Sequence, residues 1–237
     1  MNMSSMTQYT FLASETKGLV SAIHQTAQNP IALFVMGHGA GANMSHAHMQ
    51  GLADALAENG IETLRYNFPF METGGGRVDN LPICLDTIEN ALALSLNLQR
   101  DLQTSLQADL TEKLPTFLCG HSFGGRMSSH FAAEKPPKIA GIVYFSFPLH
   151  PSKKPDTKRA AHLKEILVPQ LFVSGSRDTL AEMALLAPVV KSLPNAALHI
   201  IETADHSFKI LKRSRQSTED VHTEAGRVAK SFVLNCL

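Results

Sequence analysis

Short runs dominated by apolar residues alternate along this chain with segments whose apolar residues recur every three to four positions. The first pattern predicts buried strands and the second amphipathic helices. IALFVM (residues 31–36), IETLRY (61–66), PTFLCG (115–120), KIAGIVYFSF (138–147), PQLFVSG (169–175) and AALHII (196–201) read as strands. YTFLA and GLVSAIHQ near the start read as an antiparallel hairpin at a sheet edge. Between them, Met49, Leu52, Ala53 and Leu56 share a helical face that Asn59-Gly60 closes. Leu81, Leu85, Ile88 and Leu92 mark a long helix from 81 to about 106. Phe123, Met127 and Phe131 mark another, which must end before Pro136-Pro137. A helix over 179–193 is expected to break or kink at Pro188, and Val221, Ala225, Val228 and Phe232 line the last one.

About eight strands and about five helices in this order predict an α/β fold: a mostly parallel sheet with helices on both faces. No repeat or Pro/Gly/Ser-rich linker divides the chain, so one domain over residues 1–237 is expected, with residues 1–7 a flexible N-terminus. Only about twenty residues, 150 to 169, separate two of the strands, too few for a sizeable cap domain.

Composition narrows the chemistry. Lys and Arg number 21, Asp and Glu 21, so no net field draws the chain to nucleic acid or anionic lipid. The basic run KKPDTKR (153–159) reads as a solvated loop rather than a polyanion site. Three widely spaced cysteines, Cys84, Cys119 and Cys236, suit a reducing compartment better than a disulfide framework. The start has no basic-then-apolar leader and no run approaches the length of a membrane span, so a soluble, cytoplasmic protein is expected. Nothing in the pattern specifies an oligomeric state.

The motif that carries chemistry is Gly120-His121-Ser122-Phe123-Gly124, a G-x-S-x-G between a strand and a helix. In that context the serine is expected on a strained turn that projects its hydroxyl off the sheet, with glycines where side chains would collide. A serine hydroxyl needs a base within hydrogen-bond reach, itself oriented by a carboxylate. In such a fold the acid follows the serine and the histidine comes last. Asp178, just past PQLFVSG, and His206, just past AALHII, stand where those partners are required. Asp205 is the second-choice acid. Asp156 falls too early, His199 lies within a strand, and His121 is expected to point away from Ser122 as a packing or supporting residue.

The glycine-dense turn GHGAGAN (37–43) follows the first buried strand. Backbone N–H groups there and at the elbow suit an oxyanion hole, with Phe123 as one donor and Ala40 as the other, Gly39 and Gly41 being near alternatives. No G-K-[ST] follows, which disfavours a phosphate cradle. His46 and His48, near His38, raise a metal question but lack a third ligand type nearby, so no metal or cofactor is expected. Arg65 and Arg126 are either packed structural arginines or holders of a substrate carboxylate. Phe68, Phe70, Phe145 and Phe147 either line a pocket or fill the core.

GHGAGANM, LRYNFPF, CGHSFGG, SRD and ADHSF together resemble the α/β-hydrolase superfamily, and most closely its small lidless branch that includes testis-expressed protein 30 and dienelactone-hydrolase-like proteins. The resemblance runs from about Gly18 to the C-terminus. It implies Ser122 as nucleophile, Asp178 as acid, His206 as base and an oxyanion hole from Phe123 and the Ala40 region. It further implies a cofactor-free serine hydrolase acting on a small-molecule carboxyl ester or thioester. Dienelactone hydrolase uses a cysteine where this chain has Ser122, which speaks against that particular substrate. The same branch includes a subunit of a chromatin acetyltransferase complex, so a hydrolase fold kept as a binding scaffold is one alternative reading. Acyl transfer or perhydrolysis on the same residues is another.

Overall fold

The structure, a computed structural model, describes residues 4–105 and 113–237. Eight strands form one sheet: β1 (Met6–Ser14), β2 (Gly18–Gln25), β3 (Ala32–Gly37), β4 (Ile61–Tyr66), β5 (Thr116–His121), β6 (Gly141–Phe145), β7 (Gln170–Gly175) and β8 (Ala196–Ile201). Their spatial order is β1-β2-β4-β3-β5-β6-β7-β8. The first two strands pair antiparallel, β2 joins β4 antiparallel, and every later pairing is parallel. Strands β3 to β7 are buried apart from His121 at the end of β5, as a largely parallel sheet covered by helices on both faces requires.

Six α-helices occur among the described residues: α1 (Ala47–Glu58), α2 (Pro69–Glu72), α3 (Leu81–Ser105), α4 (Phe123–Glu134), α5 (Met183–Ser192) and α6 (Val221–Cys236). Met49 and Leu52 of α1 and Ala225 and Ala229 of α6 fill one core layer. Ile88 of α3, Met127 of α4 and Leu186 of α5 fill the other. The connection from β6 to β7 holds two short 3-10 turns, Lys158–Ala160 and Leu163–Glu165, and no cap domain.

Several boundaries differ from the sequence expectation. Strand β1 begins at Met6, inside the stretch 1–7 expected to be flexible, because Met6 and Thr7 pair with Gln25 and His24. Strand β6 is shorter than its apolar run: Ser146 turns to a positive φ of 56° directly after Phe145 and ends the ladder. The end of α3 expected near Leu106 lies outside the described residues. Helix α5 runs through Pro188. Pro188 and Ala184, whose carbonyl loses its partner, both sit on the exposed face, where water replaces the missing bond. The short α2 was not expected from the pattern.

Helices α1 and α6 approach closely enough that a Cβ on Gly226 would stand 2.6 Å from the carbonyl oxygen of Ala55. Alanine in a helix interior usually gains about 1 kcal/mol over glycine. Here the backbone contact decides the sign, and Gly226→Ala is expected to destabilise the fold by about 1–3 kcal/mol. Urea denaturation of the two proteins checks this; an unchanged or raised midpoint would refute the tight crossing.

Candidate active site

The strand-to-helix turn after β5 is set by close backbone packing. A Cβ on Gly124 would lie 2.2 Å from the Gly37 carbonyl oxygen, and one on Gly120 2.4 Å from the Gly125 nitrogen. Only hydrogen fits there, so α4 springs directly off the sheet. Ser122, between them, takes φ 51° and ψ −111°, a backbone state that costs a non-glycine residue about 1–3 kcal/mol. Its own N–H donates to the Phe145 carbonyl at 2.9 Å, which fixes the turn against β6.

Asp178 and His206 come from two loops that are stitched to each other. A Cβ on Gly175 would meet the Ala204 carbonyl at 2.2 Å. The Arg177 N–H donates to that same carbonyl at 2.9 Å, and the Thr203 N–H donates to Ser176 Oγ at 2.9 Å. Asp205 secures the histidine turn, its Oδ1 accepting the N–H groups of Ser207 and Lys209 at 2.9 and 3.0 Å. The rival acid is therefore occupied as a turn cap. Of the other candidates, Asp156 accepts the Lys158 N–H and His199 pairs with Glu224.

The three expected side chains meet. His206 Nδ1 stands 2.9 and 2.8 Å from the two oxygens of the buried Asp178. A carboxylate only accepts, so the ring carries its proton on Nδ1, and Nε2 is left to accept from Ser122 Oγ at 2.8 Å. Asp178 also accepts the Leu180 N–H at 2.8 Å, which fixes its rotamer.

The glycine-dense turn between β3 and α1 lies across from the elbow. His38 is fully buried; the Phe68 N–H donates to its Nε2 at 3.0 Å, so its Nδ1–H donates to the Gly39 carbonyl at 2.7 Å. The peptide is trans, so the Ala40 N–H points opposite to that carbonyl, away from His38. Farther along, the loop is pinned at Met44: its N–H donates to Asn67 Oδ1 at 2.9 Å and its carbonyl accepts from Arg65. The buried Arg65 also donates to Gln25 and Gln50, whose amides both donate to Asp54. Arg65 is thus a structural residue. Phe68, Phe145 and Phe147 are fully buried and Phe70 nearly so, and all four belong to the core.

A cavity of about 330 Å³ opens over Ser122 and His206, walled by the 39–42 turn, His46, His48, Met49, His121 and Leu180. His46 caps α1, its Nδ1 accepting the His48 N–H at 3.2 Å. His121 was expected to point away from the serine. It faces the same cavity, and its Nε2–H donates to the His206 carbonyl at 3.0 Å while a Cβ on Gly39 would touch its Nδ1. One ring thereby braces both the glycine turn and the histidine loop. His48 lies edge-on to it at 4.6 Å, and its Nδ1 meets Nε2 of His222 at 3.0 Å. His222 gave no signal in the sequence, because only the α1–α6 crossing brings it here. No group of three or more metal-ligating side chains occurs among the described residues.

A mostly parallel sheet with a serine on a strand-to-helix elbow defines the α/β-hydrolase class. The chain belongs to it: residues 30–234 match the family described as "Alpha/beta hydrolase domain". Solved structures with the same fold include a dienelactone hydrolase from Anabaena variabilis, with 17% identity over 99% of both chains and a TM-score of 0.70. Est1E from Butyrivibrio proteoclasticus has 15% identity over 99% of both chains and a TM-score of 0.67. A serine hydrolase without lid from Xanthomonas campestris has 17% identity over 100% of this chain and 94% of its own, with a TM-score of 0.63. No helix among the described residues is long and apolar enough to cross a membrane.

Burial holds the site's supporting imidazoles neutral. It lowers His38 and His121 from 6.5 to about 4, and together with the neighbouring histidines it lowers His48 to about 2. A depressed folded value means that the unfolded chain binds protons first, so stability is full above pH 6.5 and falls as the pH drops toward 4. His38 alone is expected to cost the fold about 2 kcal/mol at pH 5 relative to pH 7. Urea denaturation at the two pH values tests this, and equal stability would contradict the buried neutral rings.

Proposed function

We propose that this protein is a serine hydrolase that cleaves a small carboxyl ester or thioester through an acyl-enzyme. The observation that carries the reading is the hydrogen-bonded chain from Ser122 Oγ through His206 to Asp178, 2.8 Å at its first link. His206 Nε2 takes the Ser122 proton as the oxygen attacks the acyl carbonyl, and Asp178 stabilises the imidazolium that forms. Negative charge on the former carbonyl oxygen is met by the N–H of Phe123, the first residue of α4 and free of an intrahelical partner, and by that of Ala40. His206 then protonates the departing alkoxide or thiolate. Water, activated by the same ring, attacks the acyl-serine and restores the hydroxyl.

No metal or organic group takes part in these steps. The unpaired cysteines support placement in the reducing cytoplasm. Ser122→Ala is expected to lower kcat on p-nitrophenyl acetate by about 10⁶-fold if the three side chains act as a unit. A fluorophosphonate probe should label Ser122 and no other residue. Retained activity in the alanine variant would overturn the reading, and failure to label Ser122 would favour a binding scaffold instead.

The cavity is at the small end for a ligand site. Its apolar walls, Met49 and Leu180, leave room for a short acyl chain. Across a series of p-nitrophenyl esters, kcat/KM is expected to be highest from acetate to butyrate and at least about tenfold lower at octanoate. A rise toward octanoate would contradict the cavity as the acyl site.

A further inference from the structure

Beside the elbow, α4 and the β6–β7 connection bring together four basic side chains without an acid. Arg126 and His130 share one face of α4, one turn apart, and Arg126 lies one turn beyond Ser122. The ring of His162, from the connection, stacks on that of His130 with centroids 3.8 Å apart and planes 15° from parallel. His162 is held there by Ser129, whose Oγ donates to the Arg126 carbonyl and accepts from His162 Nε2 at 2.7 Å. Arg159, three residues before His162, lies near enough to Arg126 that its charge disfavours that of Arg126, and Arg126 in turn disfavours protonation of both imidazoles.

The other two arginines with restricted exposure each have polar partners, although Arg65 Nε and Arg215 Nε and Nη1 make no hydrogen bond among the described residues. Arg215 pairs with Glu224, and Arg65 is held by Gln25, Gln50 and the Met44 carbonyl. Arg126 and Arg159, both half-buried, make no side-chain hydrogen bond or ion pair among the described residues; Arg126 has only the Phe123 ring, 5.9 Å from its Cζ. Neither acid of the connection pairs with these arginines: Asp156 accepts the Lys158 N–H, and the exposed Glu165 lies 3.8 Å from Lys164. A half-buried guanidinium without a counter-charge, within electrostatic range of a second one, is unfavourable in the unliganded protein. It becomes favourable when an anion supplies the missing charge and accepts the planar fork of donors.

We propose that Arg126 and Arg159, backed by His130 and His162, form a receptor for a phosphate group beside the nucleophile. Two permanent positive charges match a dianion better than a single carboxylate, and both imidazoles are placed to add donors once a dianion offsets the repulsion. The KKPDTKR run then has a use: Arg159, its last residue, is half-buried, while Lys153, Lys154 and Lys158 are exposed. A phosphate here is either free or carried by the substrate, as in a phosphorylated thioester. Only the second case rests on the hydrolase reading above.

Binding of inorganic pyrophosphate and phosphate to the Ser122→Ala protein, followed by calorimetry, tests the receptor independently of catalysis. Saturable one-to-one binding is expected, weakened at least tenfold in Arg159→Gln and Arg126→Gln and partly restored in Arg159→Lys. The double variant Lys153→Gln/Lys154→Gln should bind as the parent does. Arg159 stands on a half-exposed turn, so its variant decides the matter should Arg126→Gln fail to fold. Absence of saturable binding, or equal loss in the lysine variant, would overturn the receptor. With the active protein, acetyl-coenzyme A and the neutral thioester S-acetyl-N-acetylcysteamine separate the sources. An at least tenfold lower KM for the former, lost in Arg159→Gln, assigns the phosphate to the substrate; equal KM values alongside pyrophosphate binding assign it to a free ligand.

Discussion

The backbone contact between α4 and strands β3 and β5 is the constraint on which the rest of the site depends. Where Gly124 lies against Gly37, and Gly120 against Gly125, there is no space for a single methyl group. That contact lets a helix begin immediately at the end of a strand, and it forces Ser122 into a backbone state that a relaxed turn would avoid. The strain is sustained because the sheet and helix around it are buried and cannot yield cheaply. The same geometry leaves the Phe123 N–H without a helical partner and the Ser122 hydroxyl facing a cavity.

A second backbone contact fixes the partners of that serine. The acid and histidine loops touch at Gly175 and Ala204 and share hydrogen bonds on either side. The distance between Asp178 and His206 is therefore a property of two strand ends rather than of two free loops. His121 adds a brace from the elbow itself to the His206 carbonyl, and His38 orients the facing peptide of the glycine turn. Both rings are neutral because they are buried, so each offers one donor and one acceptor, and each places its donor on a carbonyl. The supporting shell thus holds backbone in place without adding charge next to the Ser122–His206 pair.

Much of this was legible in the residues. Strand β4 matches its apolar run to the residue, and Asp178 and His206 stand just past the strands that require them. Other points were not legible. Pro188 signals a break, but the exposure of its face is a tertiary fact. Phe68 and Phe145 follow or end strands in the same way whether they line a pocket or pack in the core. Asp205 and Asp178 are equally acidic on paper, and only the turn around Lys209 shows that one of them is spent on backbone N–H groups.

By itself the sequence determined the order of strands and helices, the glycines of the elbow, and the chain order of serine, acid and histidine. These are local properties: periodicity follows from which face an element buries, and a glycine at a crowded turn follows from the missing Cβ. The tertiary structure alone decided which histidine braces which loop, that Arg65 is structural, and that Arg126 lies within electrostatic range of Arg159 with no carboxylate partner among the described residues. Those outcomes depend on side chains far apart in the chain, whose distances are set by how sheet and helices pack, and no spacing along the sequence encodes them.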